Sequence, residues 1–499
     1  MTATADVAII GLGPTGATLA NLLGEQGVST LVLERETNVY PLPRAVHFDG
    51  ETMRILQSIG LQDAVKAIAR PGTQGMHFVS GTGQTLLIRQ GSDQPGLQGH
   101  HNSWYFDQPE LEALLRQRMA QHPSVRLCLG HHTESIAADA DGVTLHSVDS
   151  QSGKTQRHRV RYAVGCDGAR SAVRASINSH LQDRGLKQAW LCLDVLTHRD
   201  MPLPPYTVQW CDPQRPMTMV NKTGRRRRWE IMVLPSDDSS RLTQPDFYWP
   251  LIQRWVTPND AVIERAAAYT FHSVVAQSWH QGRVFIAGDA AHQTPPFLGQ
   301  GMCAGLRDAS NIAWKLKAVL SGAAHPDVLT TYGSERLNHV REFIDLAVRL
   351  GAIIQETDPE RARQRDAEFA QQGATLFAFP QPRLGPGAYM AHQPSAGFVA
   401  PQFTLPNGRL MDDALGHRFA LLLNAAPHPP LTPAAQPRLH QADVTHVVAA
   451  PHSPMQQWLT QHHASAVLLR PDRYVAGWVD QATSWAALDE WLTRLAAPQ

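Results

Sequence analysis

The sequence predicts an α/β fold, α+β overall, divided among three domains, and three observations support this prediction. The chain has 499 residues, more than a single hydrophobic core normally organises. Its first 36 residues contain a strand, a glycine-rich turn, a helix and a second strand. Short β-rich runs separated by turn residues dominate the stretch from about residue 183 to 275, which indicates a separate sheet inserted into the first domain.

Composition and charge exclude several classes of function. Forty-four basic residues balance 44 acidic ones, so no net field attracts nucleic acid or an anionic membrane. Five cysteines without a CxxC pair argue against a disulfide framework, and His292 has no partner at metal-ligand spacing, so we expect no metal site. No signal peptide and no apolar stretch of about twenty residues is visible. We expect a soluble, cytoplasmic protein whose partner is a small molecule.

The first βαβ unit contains a dinucleotide-binding pattern. The turn "GLGPTG", Gly11 to Gly16, matches GxGxxG between a buried strand and a helix. In this pattern the first glycine makes the tight turn, the second lets the backbone approach a pyrophosphate, and the third lets the helix pack on the sheet. An acidic residue ends the second strand, where it can bind ribose hydroxyls. The candidate cofactor contacts of the unit are Gly11, Gly13, Pro14, Thr15, Gly16, Glu34 and Arg35.

Two later strands also end in acidic turns. "YAVGCDGARSAVR" leads into Asp167, and "RVFIAGDAAHQTPP" leads into Gly288 and Asp289. With GxGxxG, DG and GD in this order, the sequence closely resembles the class A flavoprotein aromatic hydroxylases. It is most similar to the 3-(3-hydroxyphenyl)propionate hydroxylase branch. The resemblance covers most of residues 5 to 350 and extends through "PRAVHFDGETMRILQSIGL" at residues 43 to 61.

The remaining chain predicts a linker and a tail domain. From about residue 355 the sequence is rich in Ala, Gln, Pro and Gly, and "FAFPQPRLGPGAYMAHQPSAG" is typical of a loop. The tail resembles the thioredoxin-like C-terminal domain of phenol and polyketide hydroxylases, although it contains no cysteine. The predicted domains are a Rossmann-like FAD-binding domain (1–75, 100–180 and 276–395), an inserted β-sheet substrate domain (76–99 and 181–275) and the thioredoxin-like domain (396–499).

The resemblance implies roles for residues at the cofactor. In the family the Asp of the GD motif, here Asp289, binds the ribityl chain, and Asp167 takes part in flavin and nicotinamide handling. The loop after the GD motif places backbone N–H groups and a helix N-terminus beside the isoalloxazine. Arg44 and Gln108 match FAD contacts, although a surface cation and a helix-start side chain are the plainer interpretations. The implied contacts are Arg44, Gln108, Asp167, Gly288, Asp289, Pro296, Gly299, Gly301 and Met302.

The substrate site is less well specified. His47 and Asp49 lie where related enzymes place the group that activates a phenol, although a loop histidine bonded to backbone is an equal alternative. Pro296 is expected at the reactive edge of the flavin. In "GRRRRWEIMVLP", Arg228 could pair with a substrate carboxylate, or the run could be a solvated turn. Trp210, Met219 and Trp229 are expected to form the apolar wall of the ring pocket, or else the core of the inserted sheet.

Together the resemblance implies an FAD-dependent monooxygenase that consumes NADH or NADPH and O2. It would hydroxylate a phenolic ring, such as a 3-hydroxyphenylpropionate-like acid or a polyketide phenol, through a flavin C4a-hydroperoxide. A homodimer is common in the family. Two alternatives remain open: a non-catalytic FAD- or ligand-binding protein, and a flavin-dependent halogenase, although "WEIMVLP" lacks the second Trp of the WxWxIP segment that a halogenase should carry.

Overall fold

The computed structural model describes residues 4–41, 44–373, 375–377, 380–424, 443–480 and 485–496. Its strands are β1 (Ala5–Ile10), β2 (Thr30–Glu34), β3 (His47–Phe48), β4 (Arg70–Pro71), β5 (Met76–Ser80), β6 (Thr85–Arg89), β7 (Trp104–Tyr105), β8 (Val125–Leu129), β9 (His131–Ala138), β10 (Val143–Asp149), β11 (Thr155–Gly165), β12 (Leu181–Thr197), β13 (Thr207–Cys211), β14 (Met217–Asn221), β15 (Arg226–Met232), β16 (Ala261–Ala276), β17 (His280–Gln281), β18 (Val284–Ile286), β19 (His292–Gln293), β20 (Thr375–Leu376), β21 (Ala420–Leu423), β22 (Thr445–Val448), β23 (Ala466–Leu469) and β24 (Val475–Val479).

Helices connect and cover these strands. The α-helices are α1 (Pro14–Glu25), α2 (Gly50–Ser58), α3 (Gln62–Ile68), α4 (Gln108–Met119), α5 (Ala172–Ser176), α6 (Pro245–Ile252), α7 (Gly301–Leu320), α8 (Thr331–Ile354), α9 (Pro359–Gln372), α10 (Met411–Leu415), α11 (Pro454–Gln461) and α12 (Trp485–Leu495). Short 3-10 helices cover Gly288–Ala290, Pro296–Leu298 and Pro326–Thr330. None of the described helices is long and apolar enough to cross a lipid bilayer.

The first sheet positions the three turns that carry the GxGxxG, DG and GD motifs. Its main path runs β17-β18-β11-β1-β2-β8, and β18, β11, β1, β2 and β8 are parallel. The strand β1 is buried because α1 packs over it, and α1 is itself packed against α4 and α7. Since parallel strands end at a common edge, the turns that follow β1, β11 and β18 converge there. This edge is where a ligand can contact all three turns.

The second sheet supplies the wall opposite that edge. Its order within the described residues is β19-β16-β12-β15-β14-β13-β5-β6-β20. The two longest strands, β12 and β16, pair antiparallel along almost their whole length. One face of the sheet turns towards the first sheet, and the other is covered by α6 and its neighbouring aromatic residues. A separate short sheet, β3-β7-β4, lies between the two.

The tail has its own core. Its sheet runs β22-β21-β23-β24, with β21 and β22 parallel and the other pairs antiparallel. The linker predicted from about residue 355 begins with a helix, α9, at Pro359–Gln372. Asp358 caps that helix by accepting hydrogen bonds from two backbone N–H groups, and Pro359 fits its first turn. Residues 380–397 form no helix or strand.

Candidate active site

A single cavity of about 700 Å³ runs from the edge of the first sheet to the face of the second. Most of the sequence-predicted site residues line it. These are Gly11, Gly13, Pro14, Thr15, Glu34, Arg35, Arg44, His47, Gln108, Asp167, Arg228, Asp289, Pro296, Gly299, Gly301 and Met302. The predicted residues that do not line it are Gly16, Asp49, Trp210, Met219, Trp229 and Gly288.

The glycines of the first turn divide into two kinds. A Cβ on Gly11, whose φ is +97°, would lie 2.4 Å from the carbonyl oxygen of Cys166, and a Cβ on Gly16 would lie 2.1 Å from the carbonyl oxygen of Gly11. These two glycines are therefore required by the packing of the chain itself. A Cβ on Gly13 would meet nothing within 4 Å. Gly13 thus leaves open space in front of the α1 N-terminus, where a phosphate group is favoured.

Acidic side chains stand at the ends of β2 and β11. The Glu34 carboxylate accepts the Leu12 N–H at 2.5 Å and the Glu36 N–H at 2.8 Å. Arg35 is mainly exposed and pairs with Glu36 at 3.2 Å. A carboxylate has about four acceptor positions, so Glu34 can still accept ribose hydroxyls. Asp167 accepts the Ser171 hydroxyl at 2.5 Å, which holds its turn at the cavity edge.

The GD turn is fixed by a buried cluster that sequence reasoning missed. Asp308, in α7, accepts the Gly288 N–H at 3.0 Å, His292 Nε2 at 2.7 Å and Arg336 Nε at 2.8 Å. Asp289 projects into the cavity, and among the described residues no donor hydrogen-bonds its carboxylate. Enclosure by the surrounding protein raises the pKa of Asp289. Its oxygens are available to polyhydroxyl groups of a ligand.

The loop before α7 presents backbone to the cavity. Pro296–Leu298 forms a 3-10 turn, and Gly299 follows in the left-handed region with φ +63°. A Cβ on Gly301, the first residue of α7, would meet nothing within 4 Å. The twenty residues of α7 give this N-terminus a partial positive charge. It therefore favours negative charge on a ligand placed against it.

Gln108 reaches the cavity by holding the loop at Arg44. Its Oε1 accepts the N–H groups of Arg44 and Ala45 at 3.2 and 2.6 Å, and its Nε2 donates to Glu112 at 2.7 Å. The Arg44 guanidinium lies over the Tyr40 ring, 4.8 Å from its centroid. Both predicted residues therefore line the cavity. The Gln108 side chain holds the backbone of the Arg44 loop in place.

The two candidate phenol-activating residues have different environments. His47 Nε2 lies 2.8 Å from the Ser103 hydroxyl, and Nδ1 lies 3.5 Å from the Gly299 carbonyl oxygen. Burial and then Arg89 lower the pKa of His47 to about 3, so the imidazole is neutral at neutral pH. Asp49 caps α2 through the Thr52 N–H and pairs with Arg307 at 2.5 Å. The prediction of Asp49 as a catalytic residue is corrected, because Arg307 and the helix N-terminus hold its carboxylate outside the cavity.

Of the two interpretations offered for Trp210, Met219 and Trp229, the structure agrees with the core of the inserted sheet and not with the apolar wall of the cavity. Trp210, Met219 and Trp229 pack in the core between that sheet and α6, and Trp210 and Trp229 lie 4.4 and 6.2 Å from the Trp255 ring. Adjacent strand residues face opposite sides of a sheet. The cavity is instead lined by the alternate residues, which are Thr207, Gln209, Thr218, Val220, Arg228, Glu230 and Cys192. This part of the cavity wall is therefore mainly polar, while Met76 and Phe271 of the same sheet add apolar surface.

Arg228 has a protein partner in place of the predicted substrate carboxylate. Its Nε and Nη2 donate to the two oxygens of Asp194, both at 2.9 Å. Its Nη1 donates to the Arg44 carbonyl oxygen at 2.6 Å. Asp194 also lies 3.4 Å from Lys222 Nζ and 3.5 Å from Arg265 Nη1. The expectation of a free arginine anchor is corrected, and the alternative of a solvated turn is also excluded for Arg228, which is buried.

Comparisons with known proteins agree with this geometry. Residues 4–347 match the family described as FAD binding domain, and residues 397–494 match the HcaD C-terminal domain. The chain is 36% identical to a probable NADH-specific resorcinol 4-hydroxylase of Rhodococcus jostii (strain RHA1), over 99% of this chain and 95% of the relative. It is 33% identical to a 3-(3-hydroxy-phenyl)propionate/3-hydroxycinnamic acid hydroxylase of Burkholderia cenocepacia (strain HI2424), over 95% and 94% respectively.

Solved structures of flavin-dependent hydroxylases have the same fold as this chain. The crystal structure of the flavin-dependent monooxygenase PieE in complex with FAD and substrate superposes with a TM-score of 0.83 at 25% identity. The alignment covers 98% of this chain and 99% of that one. A ternary complex of aklavinone-11 hydroxylase with FAD and aklavinone superposes with a TM-score of 0.81 at 22% identity, and shares the fold.

Proposed function

The chain belongs to the FAD binding domain family and is an FAD-dependent aromatic hydroxylase, and we propose that it uses NADH to hydroxylate a small, uncharged phenol with a second ring hydroxyl, of the resorcinol type. The observation that carries the substrate proposal is the wall of the cavity on the second sheet. That wall offers hydroxyl, amide and carboxyl groups, while Arg228 is already bound by Asp194. An uncharged, hydroxylated ring fits such a surface.

The two relatives are named for different substrates, and the charged groups of the cavity favour one of them. A propionate side chain would need a cation, and a bidentate arginine is the usual partner of a carboxylate. Arg228 would have to exchange Asp194 for the substrate and leave that carboxylate buried with weaker partners, which is costly. A resorcinol hydroxyl makes no such demand. We propose NADH as the coenzyme because the resorcinol hydroxylase relative is named as NADH-specific.

The residues at the cavity fit FAD. We propose that the turn containing Gly13 and the α1 N-terminus hold its pyrophosphate, that Glu34 binds a ribose, and that Asp289, which no described residue engages, binds the ribityl hydroxyls. The α7 N-terminus would favour negative charge on the ring system of the bound cofactor. Bound FAD, reduced by NADH, supplies the oxygen-transfer chemistry with O2.

The chain's own residues orient the ring and exclude water. Met76, Tyr105 and Phe271 line the cavity together with Pro296, and we propose that they exclude water from the bound ring. Tyr105 donates to or accepts from the Thr207 hydroxyl at 2.5 Å. We propose that His47, neutral and wedged against Gly299, keeps the loop beside Pro296 in place. The polar wall holds the phenol with its hydroxyls towards the second sheet.

A product assay tests this function. The purified protein, loaded with FAD, is mixed with NADH and either resorcinol or 3-(3-hydroxyphenyl)propionate under air, and products are identified by mass spectrometry. We expect resorcinol to accelerate flavin reduction and to yield a benzenetriol, with kcat/KM at least about 10-fold above that of the propionate, a difference of about 1.4 kcal/mol. A higher kcat/KM for the propionate would refute the substrate, and tight binding of both phenols without any flavin reduction would indicate a ligand-binding protein.

A further inference from the structure

Glu230 is a buried carboxylate of the cavity wall that accepts no hydrogen bond from the described residues. Glu230 lies on β15 and lines the cavity, yet only 7% of its surface is exposed. Thr218 on β14 and Cys192 on β12 stand directly across from it, and Gln209 follows beyond Thr218. These four side chains form one polar row across the wall, which we call the Glu230 row. The row contains an amide, a hydroxyl, a carboxyl and a thiol, and no basic residue.

The hydrogen bonding of Glu230 differs from that of the other buried carboxylates. Throughout the described part of the chain, no donor hydrogen-bonds either of its oxygens, and its nearest cation, Arg228 Nη1, is 3.8 Å away. The guanidinium of Arg228 is directed to Asp194. By contrast, Asp308 and Glu335 each accept several hydrogen bonds. The Glu230 carboxylate faces the cavity, and an acceptor left without a donor is costly once water is excluded, so a donor from a bound molecule is the expected complement.

Charge around Glu230 supports the same conclusion. Burial raises the pKa of Glu230, and Asp194 acts in the same direction, while Arg228 and Arg265 oppose them. A carboxyl group of raised pKa is a stronger base than an exposed one. It is better matched to a phenol, whose ordinary pKa is near 10.

We propose that Glu230 is the catalytic residue that accepts the hydroxyl of the phenolic substrate and takes up its proton. The inference rests on the proposed function and names the base at that site. The phenol O–H bond breaks, the proton goes to a Glu230 oxygen, and the electron pair remains on the phenol oxygen. The resulting negative charge raises the electron density at the ortho and para carbons of the ring. The overall reaction balances as phenol, O2, NADH and H⁺ giving the hydroxylated phenol, NAD⁺ and water.

Glu230 fits this role better than the residues that the sequence suggested. Both ring nitrogens of His47 have internal partners within 3.5 Å. Asp49 is bound by Arg307 and does not line the cavity. Glu230 is a cavity-facing carboxylate with unoccupied acceptor positions. It also places negative charge where an acidic side chain of a substrate would lie, so it selects against carboxylated phenols.

A matched pair of variants tests the role. Glu230→Gln keeps the size of the side chain and removes its ability to take a proton, and Glu264→Gln removes a carboxylate from β16 that pairs with Arg226 at 2.9 Å near the surface. We expect Glu230→Gln to lower kcat/KM for resorcinol by about 100-fold or more, the usual effect of losing a general base. Glu264→Gln should stay within about twofold of the wild type, and FAD content is measured for each protein.

Three further tests separate proton transfer from a structural effect. A fluorinated resorcinol, whose hydroxyl is more acidic, should lose less activity in Glu230→Gln than resorcinol does. The ratio of kcat/KM for 3-hydroxybenzoate to that for resorcinol should rise at least about 10-fold in the same variant. Glu230→Asp, which keeps a shortened carboxylate, should retain activity that Glu230→Gln lacks. If Glu230→Gln does not retain FAD, Glu230→Asp is used in its place.

The outcomes distinguish the two proposals. If the wild type hydroxylates resorcinol and Glu230→Gln keeps kcat/KM within threefold of it, the role of Glu230 is wrong and the proposed function stands. If the wild type hydroxylates another phenol and not resorcinol, the proposed substrate is wrong, and the same comparison on that phenol decides the role of Glu230. Equal losses for resorcinol and its fluorinated analogue would also overturn proton transfer to this residue.

Discussion

Glu335 offers a direct test of how the tail is joined to the rest of the enzyme. It lies in α8 and is fully buried. Its carboxylate accepts hydrogen bonds from Lys315 and Asn311 in α7, at 2.8 and 2.7 Å, and from the Ala388 N–H in the linker at 2.6 Å. Arg470, after β23 of the tail, donates to both of its oxygens at 2.9 Å. The substitution Glu335→Gln keeps the shape and removes the charge.

The structure sets the expected magnitude. Burial alone would raise the pKa of Glu335, but Arg470 and Lys315 outweigh it and lower the pKa from 4.5 to about 2. At 1.36 kcal/mol per pKa unit, this difference corresponds to about 3 kcal/mol. Removing one partner of a buried ion pair costs about 3–5 kcal/mol. Because the pKa is lower in the folded state, this stabilisation is present above pH 4.5 and is lost as the pH falls towards 2.

Chemical denaturation at pH 7, followed by tryptophan fluorescence, measures the loss. We expect the free energy of unfolding of Glu335→Gln to fall by about 3–5 kcal/mol. Glu360→Gln is the matched control, since Glu360 is exposed in α9 beside Arg363, and it should change stability by less than about 1 kcal/mol. A Glu335→Gln protein within 1 kcal/mol of the wild type, or no less stable than the control, would refute the argument.

Three other predictions concern the cofactor turn and the substrate wall. Gly13→Ala should fold with normal stability yet bind FAD at least about 10-fold more weakly, because the new methyl group fills the space left for the phosphate. FAD titration followed by flavin fluorescence measures the affinity. Gly16→Ala, whose methyl group would clash with the backbone, should lower the free energy of unfolding as well as the affinity. Met219→Ala should cost about 2–5 kcal/mol of stability and change KM less than threefold, since Met219 faces away from the cavity; a large rise in KM would contradict this orientation. The pH profile of kcat/KM should fall on the acid side at a pH above the ordinary 4.5 of a glutamate, because the raised pKa of Glu230 makes protonation easier, and Glu230→Gln should lack this limb.

Sequence reasoning succeeded where the chemistry is local. The turn at Gly11 to Gly16 is specified by its own residues, and the three motifs in order identified an FAD-dependent hydroxylase, which the family match and the relatives confirm. The convergence of Asp167 and Asp289 on the first turn follows from the parallel pairing of β1, β11 and β18. The individual site residues and the domain boundaries stay predictions.

Reasoning from sequence failed where a choice depended on distant packing. Adjacent side chains alternate along β15, so Arg228 and Glu230 share one face and Trp229 lies on the other, but the sequence could not tell which face would meet the cavity. Trp255, beyond α6, determines that choice by covering the tryptophan face. Asp49 was a reasonable candidate until Arg307, 258 residues away in sequence, was placed against it. Neither contact leaves a signal in the sequence around the residue it changes.

The buried charges also explain why a tail without cysteine is joined so closely to the catalytic part. Arg54 in α2 donates to both oxygens of Asp412 at 2.6 and 2.9 Å. From the tail, Tyr474 donates to Glu51 at 2.9 Å, Glu51 accepts from Arg307 at 2.6 Å, and Arg307 donates to Gln300 at 3.0 Å. This chain of contacts ends at Gln300, the residue before α7, beside the turn that lines the cavity. Buried, geometrically restrictive contacts of this kind fix one arrangement, so they hold the tail and the turn before α7 in one relative position.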